Sequence, residues 1–328
     1  MVDLKTTFMG IPLRSPIVVG ASSVSGMVDR IAMAEQAGAG ALVIRSLFEE
    51  QIQLDALRLQ DDLSVGSESH AEALSHFPNL KHGESAEHLM WVEKARKAVK
   101  MPLFASLNAV SPGAWTKYAA QLEAAGIDGL ELNVYAVEAN PAKTPQAIEL
   151  ELYETVAAVT AQVKIPVAVK LSPFYTSTSH VAHGLAQRGA RALVLFNRFL
   201  QPDIDPTTES PTNEMTLSEP SEIKLPLRWI ALLHGRLQAD LALSTGVHSG
   251  TDVAKALLAG ATVAQTASAM LKHGVPYLST MLRQLEGWME EKGYQRLDDF
   301  RGKLSQKQTL DPFVFERAQY VKLLLSQK

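Results

Sequence analysis

Short apolar runs alternate with longer amphipathic stretches along the whole chain. Eight of these runs are rich in Val, Leu, Ile and Ala and lack the polar alternation of a half-exposed strand, a pattern typical of parallel strands covered on both faces. The pattern therefore predicts eight buried strands. They are Ile17–Gly20, Ala41–Arg45, Leu103–Leu107, Gly129–Val134, Val167–Leu171, Ala192–Asn197, Leu241–Thr245 and Thr262–Thr266.

Amphipathic stretches of helical period separate the predicted strands. Several of them are followed by a glycine, the residue that most easily takes the left-handed conformation that ends a helix. Such glycines are Gly38, Gly126, Gly189 and Gly260. The predicted helices are Val28–Ala37, Ser85–Val99, Ala114–Ala125, Pro145–Val163, Ser179–Arg188, Leu227–Gln238 and Thr251–Leu258.

This alternation predicts an α/β protein, a (β/α)8 TIM barrel that residues 1–328 form as a single domain. A doubly wound open sheet uses the same local pattern and is the alternative. Leu4–Leu13 predicts a short N-terminal β-hairpin, and Gln201–Leu225 a long loop insertion after strand six. We expect that loop, and Glu49–Lys81 after strand two, to act as lids or substrate loops.

The composition mainly excludes certain kinds of site and partner. The 328 residues include no cysteine, so this chain holds no disulfide, thiolate zinc site or iron–sulfur cluster of its own, and we expect no metal site. A net charge of −4 gives no general attraction to nucleic acid or to an anionic membrane. The N-terminus lacks a signal-peptide pattern and no apolar run is long enough to span a membrane, so we expect a cytoplasmic protein.

The segment Leu243–Met270 carries the clearest chemical signal. One predicted strand ends in Ser244-Thr245-Gly246, and the next ends in Ala267-Ser268 before another helix begins. Small residues at two neighbouring strand ends expose backbone N–H groups to an anion. In a (β/α)8 barrel, the loops after strands seven and eight are the usual phosphate site. The segment therefore predicts a phosphorylated ligand.

Polar side chains end the other predicted strands, where barrel enzymes place their chemistry. Asn108, Asn133 and Asn197 follow three strands, and Lys170 lies in the apolar strand VAVKLSP. Three amides and a lysine on one face favour a ligand rich in carbonyl groups and ring nitrogens, although each amide could instead bond within the barrel. Lys170 either stabilises negative charge on a ligand or forms an internal ion pair with Glu131.

Several short motifs are spread over nearly the whole chain, namely Gly20-Ala21-Ser22, Glu131-Leu132-Asn133, Val169-Lys170-Leu171-Ser172-Pro173, Asn197, Ser244-Thr245-Gly246-Val247, Gly260-Ala261 and Gln265. In this order and spacing they resemble the dihydroorotate dehydrogenase family. The family is one of FMN-binding (β/α)8 barrels. In its reaction a hydride passes from C6 of dihydroorotate to flavin N5, a base removes the C5 proton, and a second oxidant reoxidises the flavin.

The resemblance implies an FMN site across the mouth of the barrel and assigns roles to residues of this chain. We take Lys170, Asn133, Tyr135 and Asn197 as the catalytic candidates. The residues implied in cofactor binding are Ala21, Ser22, Asn108, Asn133, Lys170, Asn197, Thr245, Gly246, Gln265, Ala267 and Ser268.

The substrate half departs from the family pattern. After Asn133 the family has a Ser-Cys-Pro-Asn or Ser-Ser-Pro-Asn run that carries the base and a substrate amide. This chain has Tyr135-Ala136-Val137-Glu138, so by count Ala136 stands at the base position and Glu138 at that of the substrate Asn. Ala136 cannot accept a proton, whereas Tyr135 either exchanges one or packs under a lid. Arg45, Glu138 and Arg198 are the substrate-binding candidates, and His248 is expected beside the phosphate.

The sequence therefore predicts an FMN-dependent oxidoreductase acting on dihydroorotate or a related cyclic amide, in pyrimidine biosynthesis by resemblance. The alternatives are an FMN oxidoreductase with a non-orotate substrate, a non-oxidative phosphate-handling barrel enzyme that uses Lys170, and a flavin-binding protein without catalysis. We expect a small-molecule substrate, an electron acceptor that the sequence does not identify, and, from the resemblance, a homodimer.

Overall fold

The computed structural model describes residues 2–48, 83–108, 112–134, 137–199, 201–212, 216–316 and 324–325. Eight parallel strands close into a barrel in the order β11-β12-β3-β4-β5-β6-β7-β8, which confirms the (β/α)8 prediction. In chain order the strands are β1 (Thr6–Phe8), β2 (Ile11–Leu13), β3 (Ile17–Val19), β4 (Ala41–Phe48), β5 (Leu103–Asn108), β6 (Gly129–Asn133), β7 (Val167–Leu171), β8 (Ala192–Leu195), β9 (Asp203–Asp205), β10 (Ser210–Thr212), β11 (Asp240–Ser244) and β12 (Val263–Thr266).

Helices cover the outside of the barrel, and each helix predicted from the sequence is present with its ends moved by a few residues. α6 differs most, since it begins three residues earlier than predicted and ends at Leu233 rather than Gln238. The helices are α1 (Val28–Gln36), α2 (Gly83–Ala98), α3 (Pro112–Ala124), α4 (Pro145–Gln162), α5 (Thr178–Gln187), α6 (Lys224–Leu233), α7 (Gly250–Ala259), α8 (Ser268–His273), α9 (Tyr277–Lys292) and α10 (Phe313–Glu316).

The N-terminal hairpin of β1 and β2, as predicted, closes one end of the barrel. Phe8, Met9 and Leu13 pack with the inward-facing residues Val43 and Phe104 in a core separate from the larger core between strands and helices. The backbone N–H of Met9 donates to Asp240 at the start of β11, 2.7 Å away, so the hairpin covers the N-terminal ends of the strands. The opposite mouth, where the strands end, is left for a site.

The loop after strand six and the end of β4 both differ from what the sequence predicts. The predicted loop Gln201–Leu225 contains an antiparallel pair, β9 with β10, and a 3-10 turn at Pro220–Ile223, so it is more structured than a plain insertion. β4 continues to Phe48 past the predicted end at Arg45, with an irregular register between Ile44 and Leu47. The other expected lid, Glu49–Lys81, lies outside the described residues. No helix in the described part of the chain is long and apolar enough to cross a membrane.

Candidate functional site

A cleft of about 190 Å³ opens at the C-terminal mouth of the barrel; we call it the mouth cleft. Its walls come from the ends of β3, β7, β8, β11 and β12 and from the loop before α6. Most of the predicted cofactor residues line it, namely Ala21, Lys170, Asn197, Thr245, Gly246, Gln265, Ala267 and Ser268. The structure therefore brings together side chains that are far apart in the sequence.

One end of the mouth cleft is a turn of tightly packed backbone. Thr245 and Gly246 both have positive φ, 82° and 76°. A Cβ on Gly246 would lie 2.4 Å from the backbone nitrogen of Ile223, so only glycine fits this approach between the β11 loop and the turn before α6. The first turn of α8 follows β12 beside it, and its N–H groups have no partner within the helix. This end of the cleft suits a phosphate group.

A cluster of hydroxyl groups joins the loop after strand six to this end. Ser218 donates its backbone N–H to the Ser268 hydroxyl at 3.0 Å, and the two hydroxyls lie 2.9 Å apart. The Ser218 hydroxyl is also 3.1 Å from Nε2 of the buried His248, whose pKa is lowered mainly by burial. His248 thus lies next to the predicted phosphate region. Ser218 was missed by the sequence analysis, because nothing in a polar loop marks which serine folds back onto the barrel.

The other end of the mouth cleft holds a buried charged network. Lys170 Nζ lies 3.5 Å from Glu131 Oε1, and the two side chains are 12% and 3% exposed. Gln265 Nε2 donates to the second carboxylate oxygen of Glu131 at 2.6 Å. Lys170 therefore forms the internal ion pair and also lines the mouth cleft, so its action on a ligand stays a prediction. Oε1 of Glu131 and Oε1 of Gln265 are buried without a hydrogen bond from any described residue.

A chain of amides and hydroxyls connects the strands across the mouth. Asn197 donates through Nδ2 to Oδ1 of Asn133, and Asn133 Nδ2 is 3.4 Å from the Ser46 hydroxyl. The Ser46 hydroxyl lies 2.7 Å from that of Ser106. Asn133 itself does not line the mouth cleft, and neither do Ser22 and Asn108 among the predicted cofactor residues. Tyr135 and Ala136 lie outside the described residues.

The three substrate-binding candidates have different surroundings. Arg198 lines the mouth cleft, but its Nε donates to Glu222 at 2.9 Å, so its guanidinium is already paired. Glu138 lies apart from the cleft and pairs with Lys143 at 3.2 Å, and the Asn140 N–H is the largest cause of its lowered pKa. Arg45 is exposed and has no ion pair with a described residue.

A second cavity, of about 340 Å³, lies beside Ser46; we call it the Arg45 cavity. Arg45, Ser46, Glu87, His88 and Trp91 line it. The sequence analysis missed His88, because one histidine within an amphipathic helix carries no motif. The described residues contain no cluster of three or more His, Cys, Asp and Glu side chains that could hold a metal ion.

His88 should make the protein less stable in acid. Burial first, and then the charge of Arg45, lower the pKa of His88 from 6.5 to about 4. The unfolded chain binds this proton below its own pKa while the folded chain does not, so stability present at pH 7 is lost as the pH falls from 6.5 towards 4. We expect a loss of about 2 kcal/mol between pH 7 and pH 5 from this group.

Urea unfolding of the wild type and of His88→Asn at both pH values measures the effect. His234 and His248, whose pKa values are also lowered, add the same acid loss to both proteins. The variant should therefore lose about 2 kcal/mol less than the wild type. Equal losses in the two proteins would contradict the prediction.

Comparison with known proteins agrees with the family resemblance of the sequence motifs. A family model described as dihydroorotate dehydrogenase matches residues 3–289. The chain is 26% identical over 312 residues to "Dihydroorotate dehydrogenase B (NAD(+)), catalytic subunit" of Thermoplasma volcanium, covering 92% of this chain and 98% of that protein. It is 26% identical over 314 residues to "Dihydroorotate dehydrogenase A (fumarate)" of Lactococcus lactis subsp. lactis, covering 92% and 99%. A shorter match, to the B-type catalytic subunit of Pelobacter propionicus, is 34% identical over 155 residues.

Proposed function

The chain belongs to the dihydroorotate dehydrogenase family, and from this premise we propose that it is an FMN-dependent oxidoreductase that oxidises a reduced cyclic substrate related to dihydroorotate. The observation that carries the proposal is the composition of the mouth cleft. A backbone cradle at Gly246 and Ser268 lies at one end, and the buried Lys170–Glu131–Gln265 network lies at the other. A phosphorylated cofactor with a polar ring system fits both ends.

The residues present fit FMN at several points. The turn at Gly246 and the first turn of α8 would hold the phosphate, because both line the mouth cleft and the first N–H groups of a helix have no partner within it. Lys170 would place its positive charge beside the ring, and the buried acceptor oxygen of Gln265 would take a ring N–H. Asn197, held by its bond to Asn133, would meet the ring or the substrate. When bound, FMN would supply a two-electron acceptor in this cleft.

The buried ion pair sets how Lys170 acts in this proposal. Glu131, which accepts a hydrogen bond from Gln265, holds the lysine at the end of its strand, so that its charge is oriented before a cofactor arrives. The nearly complete burial of this network excludes water and strengthens the electrostatic effect of the ammonium group. The amide pair Asn133–Asn197 can hold a carbonyl or N–H group of a ligand in a fixed orientation.

Oxidation of dihydroorotate itself should be slow. Ala136 stands where the family resemblance expects a base, and a positioned base contributes about 10²–10⁴-fold to such a reaction. We expect L-dihydroorotate to bleach the flavin of the anaerobic protein at least about 100-fold more slowly than it does in a relative that has the base. Stopped-flow absorbance measures the rate.

The matched variant is Ala136→Ser, which adds one hydroxyl group at that position. It should raise the rate of bleaching by L-dihydroorotate by about tenfold or more if orotate chemistry is otherwise intact. Rapid bleaching of the wild type would contradict the prediction. No response to dihydroorotate in either protein, with rapid bleaching by another reduced cyclic compound, would favour the non-orotate alternative.

The remaining parts of the proposal concern partners and context. The two full-length relatives carry NAD(+) and fumarate in their names, so the acceptor differs within the family. Without cysteine, this chain holds no iron–sulfur cluster to pass electrons on, and a small molecule or a partner protein must reoxidise the flavin. We further propose a cytoplasmic, single-domain homodimer. Family membership does not favour the non-oxidative alternative that uses Lys170.

A further inference from the structure

The segment Thr216–Ile223, directly before α6, lies against the end of the mouth cleft that we assign to the phosphate; we call it the strap. Its Ser218 and Ile223 side chains are buried, whereas the residues between them are exposed or half-buried. Ser218 bonds to the Ser268 hydroxyl in the first turn of α8, and Ile223 packs directly on Gly246. The strap therefore contacts both of the elements that we expect to hold the phosphate.

Arg198, which follows β8, contacts the strap at both of its ends. Its Nε donates to Oε2 of Glu222 at 2.9 Å, and its Nη2 lies 3.4 Å from the other carboxylate oxygen. Nη1 and Nη2 also donate to the carbonyl oxygen and the hydroxyl group of Thr216. One planar guanidinium group therefore joins the first residue of the strap to its last turn.

Glu222 extends this restraint to the backbone beside Ser218. Its Oε1 accepts the backbone N–H of Glu219 at 2.7 Å, and its own N–H donates to the carbonyl oxygen of Glu219 at 3.0 Å. Glu219 follows Ser218 directly in the chain, and Lys272 of α8 pairs with its carboxylate at 2.7 Å. The Arg198–Glu222 pair thus fixes the stretch of backbone that places Ser218 against α8.

The geometry of Arg198 favours a role in holding the strap over direct binding of a ligand. An arginine that binds an anion presents two parallel N–H groups to it. Each of the three guanidinium nitrogens of Arg198 instead has an acceptor in the strap, although the residue lines the mouth cleft. Arg198 therefore acts on a ligand through the position of the strap.

We propose that Arg198 is a positioning residue: together with Glu222 it holds the strap against the phosphate end of the mouth cleft and so strengthens the binding of the cofactor's phosphate group. The proposal rests on the proposed function for the identity of that cofactor. It differs from the expectation that Arg198 binds the substrate. A loop that is ordered before the ligand arrives loses less entropy on binding, so a loosened strap weakens binding although no contact with the ligand is removed.

The Kd values of FMN and of riboflavin, measured by fluorescence titration of the protein stripped of bound ligand, test the proposal. Arg198→Met should weaken FMN binding about tenfold and riboflavin binding less than twofold, because riboflavin has no phosphate group. Glu222→Gln should weaken FMN binding about threefold, since its amide oxygen can still accept the Glu219 N–H. If Arg198 instead bound the anion of the ligand directly, Glu222→Gln would free the guanidinium group and tighten FMN binding.

The matched control is Arg191→Met, at an exposed arginine just before the other end of β8. It should bind both flavins as the wild type does. The double variant Arg198→Met with Glu222→Gln should bind FMN no more weakly than Arg198→Met alone, because both substitutions break the same ion pair.

Hydrogen exchange of the protein without flavin measures the strap itself. The backbone N–H groups of Ser218 and Glu219 donate to the Ser268 hydroxyl and the Glu222 carboxylate, and they should exchange about tenfold faster in Arg198→Met than in the wild type. The N–H groups of β11 should exchange at the wild-type rate, which shows that the barrel is intact. If Arg198→Met does not fold, Glu222→Gln supports both measurements, with smaller changes in the same direction.

Two results would overturn the proposal: tighter FMN binding in Glu222→Gln, or equal exchange of the strap in Arg198→Met and the wild type. Failure of the proposed function gives a different result. A wild type that binds neither flavin, but whose strap exchanges more slowly when inorganic phosphate is added, would retain the role of Arg198 if Arg198→Met lacks that slowing. A wild type that binds FMN, with an Arg198→Met variant equal to it in both measurements, would retain the oxidoreductase and exclude that role.

Discussion

Gly246→Ala should raise the Kd for FMN at least 100-fold. An alanine Cβ at this position would lie 2.4 Å from the backbone nitrogen of Ile223 and 2.8 Å from its Cα. Real Cβ atoms do not approach backbone this closely, so the loop after β11 and the turn before α6 must separate. That separation opens the end of the mouth cleft which we assign to the phosphate. Titration of the protein, stripped of bound ligand, with FMN measures the Kd.

The matched control is Gly10→Ala in the N-terminal hairpin. Gly10 also has a positive φ, 82° against 76° for Gly246, but no atom lies within 4 Å of its added Cβ. Both variants pay about 1–2 kcal/mol for the left-handed backbone, whereas only Gly246→Ala adds the clash. Gly10→Ala should therefore lose only the stability that the left-handed backbone costs and should keep its FMN affinity. Wild-type FMN affinity in Gly246→Ala would contradict our assignment of the phosphate site.

Lys170→Met should cost both stability and cofactor binding. Removing the lysine leaves the carboxylate of Glu131, 3% exposed, without its positive partner, and breaking a buried ion pair in this way costs about 3–5 kcal/mol. Loss of the positive charge beside the ring should also weaken FMN binding and lower the reduction potential of bound FMN. Lys164→Met, at an exposed lysine just before β7, is the control and should change neither property.

The double variant Lys170→Met with Glu131→Gln separates the two roles of the lysine. It removes the unpaired charge and should restore most of the lost stability. The potential and the FMN affinity should stay low, because the ammonium group is still absent. Unfolding by urea and a spectroelectrochemical titration measure the two effects. Wild-type FMN affinity and potential in the double variant would mean that Lys170 serves only the internal ion pair.

The sequence predicted the barrel because its signals are local. Each strand is a short apolar run, and several helices end at a glycine with positive φ, such as Gly126, Gly189 and Gly260. The segment Leu243–Met270 also predicted that two strand ends lie side by side, and Gly246 and Ser268 do line one cleft, whereas their role in holding a phosphate stays a prediction. α9 was not predicted, because each predicted helix precedes a strand and α9 lies after the last strand.

The contacts that the sequence could not predict join distant segments. Arg198 pairs with Glu222 across the loop after strand six, and Ser218 bonds to Ser268 fifty residues away. Nothing local in either pair specifies its partner. The environment of His88 depends likewise on how α2 packs against β4, which a helical pattern does not define. The sequence therefore indicated which strand ends line the mouth cleft, but not how loops pair the polar groups around it.

Release of the bound cofactor from the purified protein tests the central claim most directly. The protein should be yellow, with the absorbance bands of oxidised flavin, and denaturation should release FMN at a ratio near one per chain. A colourless protein that also fails to take up added FMN would contradict the oxidoreductase proposal. It would favour the alternative of a non-oxidative barrel enzyme that binds a phosphorylated ligand in the mouth cleft.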